Sequence, residues 1–339
     1  MNIAFVVSII LVLAVVFVNG WTDAPNAIGS AVATRVFSPR KAIMVAVVFN
    51  FLGVLLMTSI TAKVADTIAK MIDFSSSTKE EALIALMAAM LSIVIWAVAA
   101  WFFSIPTSES HALIAGLTGA ALALGGLSAI DMGQWSKVLI GLAVSSVLGF
   151  GSGFGIARLI EVLFRHVSRQ KSESFFSKGQ AWASAAMAFL HGAQDGQKFM
   201  GVFMLALFLN GMTSKAADGT FIIPIWVMIL CSLTMGVGTM VGGWRIIKAV
   251  GMDMVKMRKY QGFASDLAAG ACILLSTLAG LPVSTTHTKT TAIMGVGTSK
   301  RFSSVNWGIA IEMIWAWVLT FPGCGLIGYG MARLFLYIF

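Results

Sequence analysis

Long apolar segments, separated by short polar stretches, decide what this chain can fold into. A membrane-spanning helix needs about 20 predominantly apolar residues, and most of the segments approach or exceed that length. Only 11% of the residues are charged, against roughly 25% in soluble domains. A chain of this composition cannot cover its surface with polar groups, so it is a polytopic membrane protein and the soluble classes are excluded. The segments are 3–34, 42–62, 82–103, 112–127, 138–164, 181–211, 221–243, 264–280, 292–297 with its flanks, and 308–338.

Three of the segments do not fit a plain membrane helix. Segments 3–34 and 181–211 are longer than one crossing and carry polar clusters in their middles. The region around 292–297 is too short unless the polar stretch before it also enters the membrane. We therefore predict an all-α protein with broken helices and re-entrant hairpins, in about 10–12 membrane segments. Hydropathy leaves open which short segments cross fully.

The loops with many basic residues alternate with loops in which acidic residues dilute the lysines. The positive-inside rule places the basic loops in the cytoplasm and both termini outside. This distribution explains the net charge of +9 without a nucleic-acid partner, and it predicts a multi-pass protein of the inner (plasma) membrane. The basic loops carry Arg35, Arg40 and Lys41; Arg165, Arg169, Lys171 and Lys178; Arg245, Lys248, Lys256, Arg258 and Lys259; and Lys300 and Arg301.

With these loops inside, each half of the chain crosses the membrane an odd number of times. The second half is then inverted relative to the first. We predict a first repeat at 1–165, a cytoplasmic linker at 166–180 and a second repeat at 181–339.

Two motifs occur once in each half and in the same order. NGWTDAPNAIG at 19–29 pairs with HGAQDGQKFMG at 191–201, an offset of 172 residues between Asp23 and Asp195. PTSESH at 106–111 pairs with PVSTTH at 282–287, an offset of 176 residues between Pro106 and Pro282. Inverted repeats with interrupted segments at corresponding positions are typical of secondary transporters with a site at the membrane midplane.

The proline and hydroxyl residues of the second motif predict an anion site. They break a helix inside an apolar region and leave backbone N–H groups unpaired, which is costly unless these groups meet a ligand. Two facing helix N-termini with hydroxyl side chains favour an oxyanion. The candidate anion ligands are Thr107, Ser108, Ser110, Ser284, Thr285 and Thr286.

Carboxyl groups at membrane depth predict cation coupling. Asp23 and Asp195 are costly there when ionised and usually functional, and each needs a sodium ion, a proton or a lysine. His191 is a candidate proton relay, because its ordinary pKa lies near neutrality. Glu109 would repel a bound anion if ionised, so it is protonated, paired or turned toward the entrance. Lys289 either meets the anion or extends toward the membrane interface.

Other residue patterns predict packing and no chemistry. The glycine-rich run at 149–155 lies in an apolar span, which favours close helix contacts over a nucleotide-binding loop. Cys231, Cys272 and Cys324 lack the spacing of a zinc site or a disulfide framework. No nucleophile and base are paired, so we predict no enzyme activity and no cofactor beyond a coupling sodium ion or proton.

The two motifs resemble those of the inorganic phosphate transporter (PiT) family, bacterial low-affinity type, over nearly the whole chain. Asp23, Asn26 and Ala27 match its Gly-x-Asn-Asp-x-x-Asn-Ala signature in the first half, and LPVSTTH at 281–287 matches its second block closely. The resemblance implies cation-coupled phosphate uptake, signature aspartates near the coupling cation, and hydroxyl blocks around phosphate. It also implies a homodimer and a PhoU-like accessory protein.

Departures from the signature bear on the coupling ion. Thr22 and Gln194 replace its first Asn, and Lys198 replaces the second-half Asn. An Asp195–Lys198 pair at i, i+3 lies on one helical face, where the ammonium removes one sodium site. We predict coupling to protons, or to fewer sodium ions than in Asn-bearing relatives. The candidate residues for the cation are Asp23, Asn26, Asp195 and Gln194, with sodium at Asp23 and Asn26, and with Lys198 and His191 as charge substitute or relay.

Two rival functions fit parts of the pattern. Sulfate has the shape of phosphate, but it cannot donate a hydrogen bond at neutral pH, so a carboxylate acceptor favours phosphate. A passive anion channel is opposed by the intramembrane carboxylates, which would obstruct an anion pore.

Overall fold

Helices make up almost all regular structure in the computed structural model, which describes residues 3–74, 77–103, 107–216, 219–241, 244 and 247–339. No strand occurs in these ranges, only isolated β-bridges, so the all-α class is confirmed. Pro106 and Arg245 lie outside the described residues. The helices are α1 Ile3–Thr22, α2 Ala24–Ala33, α3 Pro39–Ile60, α4 Lys63–Lys70, α5 Lys79–Phe102, α6 Glu109–Gly125, α7 Met132–Leu163, α8 Arg169–Leu209, α9 Ile225–Val241, α10 Lys259–Leu278, α11 Thr285–Lys300 and α12 Trp307–Ile338.

The first polar motif breaks its segment into two helices, as predicted. α1 ends at Thr22 and α2 begins at Ala24, with Asp23 between them and Pro25 in the first turn of α2. Proline has no N–H and its ring clashes with the preceding turn, so Pro25 favours a break at this point and starts a new helix in the first turn of α2.

The corresponding break in the second half was predicted and is absent. α8 runs without interruption through residues 191–201, because Gln197 stands where the first half has Pro25 and keeps its N–H. Residues 169–180, predicted as part of a linker, form the first turns of the same helix. The non-helical connection between the halves is therefore only residues 164–168.

Three local features were not predicted from hydropathy. α3 contains a π-helical turn at Gly53–Met57, and a second π-helical turn covers Ile247–Asp253 next to α2. α4 is a short helix whose apolar face packs on α8.

Helix packing follows a pattern that repeats when the two halves are exchanged. α1 packs on α5 and α9, while α8 packs on α10 and α3. The last helix of each half packs on the short helix of the other half, α7 on α11 and α12 on α6. Each half thus supplies the helix that covers the short helix of the other half. The opposite orientation of the halves in the membrane stays a prediction.

The outer surface is apolar, as a lipid-facing surface must be. Within the described residues, seven helices are long and apolar enough to cross a membrane, and α9 is a shorter apolar helix. Large side chains such as Leu326, Trp315 and Val147 are more than half exposed. The interior of the bundle holds the polar motifs, so α8, which carries one of them, does not show in hydropathy as a plain span.

The glycine-rich run contacts α11, which confirms the predicted close packing. A Cβ built on Gly149 would lie 2.7 Å from the Thr288 carbonyl oxygen, and one on Gly153 would overlap the carbonyl oxygen of Ala292. A Cβ on Gly151, on the other face of α7, meets nothing within 4 Å.

We expect Gly153→Ala to lower the melting temperature of the detergent-solubilised protein. Overpacking of this kind costs about 1–3 kcal/mol. Gly151→Ala is the matched control: it adds the same methyl group on the open face, where alanine favours a helix by about 1 kcal/mol. Equal melting temperatures for the two variants would contradict the close α7–α11 contact.

Candidate anion and cation site

Two helix N-termini meet at the centre of the bundle. Ser108 caps α6 by accepting a hydrogen bond from the His111 N–H at 3.4 Å, and Ser284 caps α11 by accepting one from the His287 N–H at 3.1 Å. The two serine Oγ atoms are 2.8 Å apart. Positive ends of both helix dipoles therefore point at one place, where a negative charge is stabilised.

The two motif histidines fix the approach of these helices. The His111 and His287 rings meet edge to face, with centroids 4.1 Å apart, and His287 stacks on Trp317 of α12 at 3.6 Å. Each histidine lies three residues after the serine that caps its helix. The ring contacts therefore hold the first turns of α6 and α11 against each other.

Lys198 forms the predicted charge pair with Asp195 on one face of α8. Its Nζ lies 2.6 Å from Asp195 Oδ1, 2.6 Å from Ser110 Oγ and 2.5 Å from the Val283 carbonyl oxygen. All three ammonium protons thus have acceptors. A carboxylate, a hydroxyl and a carbonyl are also the oxygen ligands that a hard cation would take, so the ammonium fills a cation position.

The other oxygen of Asp195 is held by neutral groups. Asn19 Nδ2 donates to Asp195 Oδ2 at 3.2 Å and Thr285 Oγ1 donates at 3.1 Å. His191 Nε2 lies 3.4 Å away, while its Nδ1 is 3.1 Å from Asn50 Oδ1. His191 therefore lies between the Asp195 carboxylate and Asn50 of α3.

Asp23 at the α1–α2 break is surrounded differently. Asn26 Nδ2 donates to Asp23 Oδ1 at 2.8 Å and also reaches Thr286 Oγ1 at 3.2 Å, while the Thr286 hydroxyl donates to Asp23 Oδ1. The Glu109 carboxyl group contacts the Asp23 carboxyl group and receives a hydrogen bond from Thr22. Two carboxyl groups in contact are stable only with a proton or a cation between them.

The surroundings of the two aspartates correspond position by position. At the 172- and 176-residue offsets, each neighbour of Asp23 has an equivalent beside Asp195. Both sites hold a side-chain donor one turn along the helix and a hydroxyl from the opposite capping block. The equivalent pairs are Asn26 and Lys198, Thr286 and Ser110, and Glu109 and Thr285.

Several buried acceptor oxygens at this centre receive no hydrogen bond within the described residues. They are Asn19 Oδ1, Asp23 Oδ2, Asn26 Oδ1 and Glu109 Oε2. Buried acceptors without donors are costly, and oxygen atoms of this kind are ones that a proton or a hard cation can bind. Ligand atoms of Asp23, His191 and Asp195 lie within 4.8 Å of one another, which places the aspartates of the two repeat motifs close together.

The remaining predicted residues take other positions. Gln194 Nε2 donates to the Leu281 carbonyl oxygen at 2.9 Å and its Oε1 accepts from Thr277 at 2.5 Å. Both ends of this amide therefore anchor the chain before α11, and the structure does not bring Gln194 to either aspartate. Thr107 is buried beside Ser108 at the start of α6.

A second buried ion pair was missed from the sequence. Asp266 on α10 pairs with Lys289 on α11, and both side chains are fully buried. The signal that would have found it is a single carboxyl group inside the apolar segment 264–280. It occurs in neither repeat motif, so the repeat does not point to it.

Comparison with known proteins agrees with this geometry. Residues 19–328 match the Phosphate transporter family. The chain belongs to this family. A protein from Bacillus subtilis named "probable low-affinity inorganic phosphate transporter" is 37% identical over 97% of both chains. Proteins of the same name from Mycobacterium bovis and Rhizobium meliloti are each 36% identical, over 96% and 92% of this chain and 76% and 90% of theirs.

A solved structure shows the same fold. The structure titled "The sodium-dependent phosphate transporter" superimposes with a TM-score of 0.88 over the full length of both chains, at 19% identity. Family membership confirms the resemblance found in the motifs and the choice of a transporter over an enzyme. A multi-pass membrane protein of the phosphate transporter family therefore carries this site.

We expect Lys198→Met to destabilise the protein more than the double variant Asp195→Asn/Lys198→Met. Removing one partner leaves a buried charge unpaired and costs about 3–5 kcal/mol, whereas replacing both with neutral groups costs far less. Thermal unfolding in detergent measures the difference. A double variant no more stable than Lys198→Met would contradict the pairing.

Proposed function

We propose that this protein is a secondary active transporter that imports inorganic phosphate by alternating access, driven by a cation gradient. The observation that carries the proposal is the meeting of two serine-capped helix N-termini, with Ser108 and Ser284 Oγ 2.8 Å apart, beside two buried aspartates. Phosphate would lie between these helix ends, held by backbone N–H groups and by the hydroxyls of the two blocks. The binding residues are Thr107, Ser108, Ser110, Ser284, Thr285 and Thr286.

The carboxyl groups support phosphate over sulfate. Asp23 Oδ2 and Glu109 Oε2 lack donors within the described residues. Phosphate carries a proton at neutral pH and can donate to such an oxygen, whereas sulfate has none to donate. A site that offers both donors and acceptors therefore discriminates between two anions of the same shape.

The closed surroundings of the site support a carrier over a channel. Ser108, Ser284, Thr285 and Thr286 are each at most 1% exposed. A channel needs a continuous path, whereas a carrier passes through a state that is closed on both sides. The relatives carry the name "probable low-affinity inorganic phosphate transporter", which supports this proposal.

Reconstituted protein should concentrate labelled phosphate inside liposomes against its gradient, and excess sulfate should not compete. Ser284→Ala should weaken phosphate binding by roughly fivefold, the loss of one hydrogen bond of about 1 kcal/mol. Ser145→Ala is the matched control, because this buried hydroxyl donates to the Leu142 carbonyl oxygen of its own helix. Passive equilibration would indicate a channel, and competition by sulfate would indicate a sulfate carrier.

The charge of the site explains why a cation must accompany the anion. Asp23, Glu109 and Asp195 carry three negative charges when ionised, against one positive charge on Lys198, which leaves two negative charges before phosphate enters. Ionised groups in a low-dielectric interior need compensation. Phosphate therefore binds only when protons or metal cations bind with it.

Two residues support protons as the coupling ion. Lys198 fills the second-half cation position with an ammonium group. Glu109 stands where the second half has Thr285, whose hydroxyl donates to Asp195 at 3.1 Å. A carboxyl group can make the equivalent bond to Asp23 only while it carries a proton. Sodium at Asp23 and Asn26 is the alternative, because Asp23 Oδ2 and Asn26 Oδ1 receive no hydrogen bond from the part of the chain that the structure describes.

Exchanging residues between the halves tests the coupling ion. Wild-type protein in liposomes should respond to an imposed pH gradient, and Glu109→Thr should lose that response because the proton-carrying group is gone. Lys198→Asn should make uptake respond to a sodium gradient, because it opens the second cation position. The separate gradients are imposed on the same preparations.

One result would overturn proton coupling. Wild-type uptake that depends strictly on a sodium gradient and ignores the pH gradient would assign sodium to Asp23 and Asn26. A homodimer, a PhoU-like partner, location in the inner membrane and both termini outside stay predictions from sequence.

A further inference from the structure

A second polar cluster lies beside the anion site, and the transport site does not use it. Lys289 Nζ pairs with Asp266 and lies 3.1 Å from Ser30 Oγ and 3.4 Å from Ser265 Oγ. Ser30 Oγ donates to Asp266 Oδ1 at 2.6 Å, and Ser184 donates to Asp266 Oδ2. All five side chains are at most 1% exposed. We call these residues, contributed by α2, α8, α10 and α11, the inner cluster.

The other half of the fold has no such cluster. The positions equivalent to Ser184, Asp266, Lys289 and Ser30, at the same offsets of 172 and 176 residues, are apolar. They are fully buried members of one hydrophobic core: Val12, Met90, Leu113 and Val202. The scaffold therefore packs well without an ion pair here. Buried ion pairs add little stability compared with apolar packing, so this one needs another reason.

The inner cluster continues a polar face along α2. Asp23, Asn26, Ser30 and Thr34 are spaced by three, four and four residues, which aligns them on one side of the helix. Thr34 Oγ1 donates to Gln180 Oε1 at 2.9 Å. The row begins at the anion site and ends at the C-terminal end of α2.

That end of the row opens into a basic cavity. The cavity has a volume of about 500 Å³ and is lined by Thr34 and by residues of α8, α10 and the loops beside them. Four of its lining residues are cationic and one, Glu173, is acidic. The cationic residues are Arg35, Arg169, Arg258 and Lys259, all in loops or helix ends predicted to be cytoplasmic. An anion that leaves the site along α2 would enter a positive potential.

We propose that Lys289 forms a second anion-binding position on the release route, with Asp266 occupying it while no phosphate is there. This inference rests on the proposed function and adds a route and a gate to it. An anion between Lys289 and the serines of the inner cluster would meet one ammonium and the hydroxyls of Ser30, Ser184 and Ser265. Asp266, a carboxylate held by the same groups, takes the place of that anion and closes the route.

The geometry gives the gate a direct connection to the transport site. Lys289 follows Thr286 by three residues on α11, a rise of about 4.5 Å. The helix whose N-terminus would hold phosphate therefore also carries the ammonium that would receive it. Phosphate moving from the first position to the second would displace Asp266 from Lys289, and the pair would re-form behind it.

The experiment compares phosphate binding with phosphate transport in variants of the ion pair. The double variant Asp266→Asn/Lys289→Met removes both charges, so packing is kept without an unpaired ion. We expect it to bind phosphate in nanodiscs with an affinity near that of the wild type, but to transport about tenfold more slowly or worse, a barrier increase of about 1.4 kcal/mol. Lys289→Arg, which keeps the cation, should retain transport.

Asp266→Asn alone separates the gate from a structural ion pair. It leaves the ammonium without its internal anion, so we expect tighter phosphate binding, with a second equivalent of phosphate at saturation. Ser184→Ala should slow release, whereas Ser299→Ala should not, because Ser299 is buried on α11 but bonds only Val296 of its own helix. If Asp266→Asn or Ser184→Ala fails to fold, the double variant and Lys289→Arg decide the question.

Each outcome has a distinct meaning. Wild-type transport by the double variant would show that the pair only stabilises the bundle, which overturns the inference while phosphate transport stands. A wild-type protein that binds no phosphate would overturn the proposed function and this inference with it.

Discussion

The meeting of two helix N-termini inside the membrane is the constraint on which the rest of the structure depends. Backbone N–H groups at the start of a helix have no partner in the helix, and hydrocarbon offers none. α6 and α11 begin at Ser108 and Ser284 deep in the bundle, so the surrounding helices must wall the two ends off from lipid. α7 packs on α11 and α12 packs on α6, so the last helix of each half covers the short helix of the other half and separates its N-terminus from lipid.

The sequence predicted the parts of this arrangement that have a local cause. Pro25 and the polar residues around Asp23 predict a helix break, and the break is there. The spacing of Asp195 and Lys198 predicts a charge pair on one face, and the pair forms at 2.6 Å. The prediction of a break in α8 is wrong. Gly and Asp repeat between the two motifs, but Pro25, which favours the break in the first half, is replaced by Gln197 in the second.

The parts that could not be predicted depend on contacts between distant residues. Gln194 lies beside the signature aspartate in sequence, yet its amide bonds Thr277 and Leu281, because in a helix adjacent residues point in different directions. The role of Glu109 was open, and only the fold shows that it meets Asp23 as Thr285 meets Asp195. Asp266 and Lys289 are 23 residues apart on different helices, and no periodicity connects them.

The two sides of the site close by different physical means, and this difference bears on how the protein changes state. Separating the apolar core that contains Val12, Met90, Leu113 and Val202 exposes hydrocarbon to water, at about 1.5–3 kcal/mol for each large side chain. Separating the inner cluster exposes charges and hydroxyls that water solvates well. Their hydration free energy offsets the electrostatic energy of the lost ion pair. In the proposed transport cycle, separating the inner cluster therefore costs less free energy than separating the apolar core, once phosphate has displaced Asp266 from Lys289. In the proposed cycle, opening the apolar side needs a compensating interaction, which phosphate and its cations supply by binding more tightly to that open state. The scaffold repeats between the halves, while Lys198, Glu109 and the inner cluster make the chemistry of its two sides unequal.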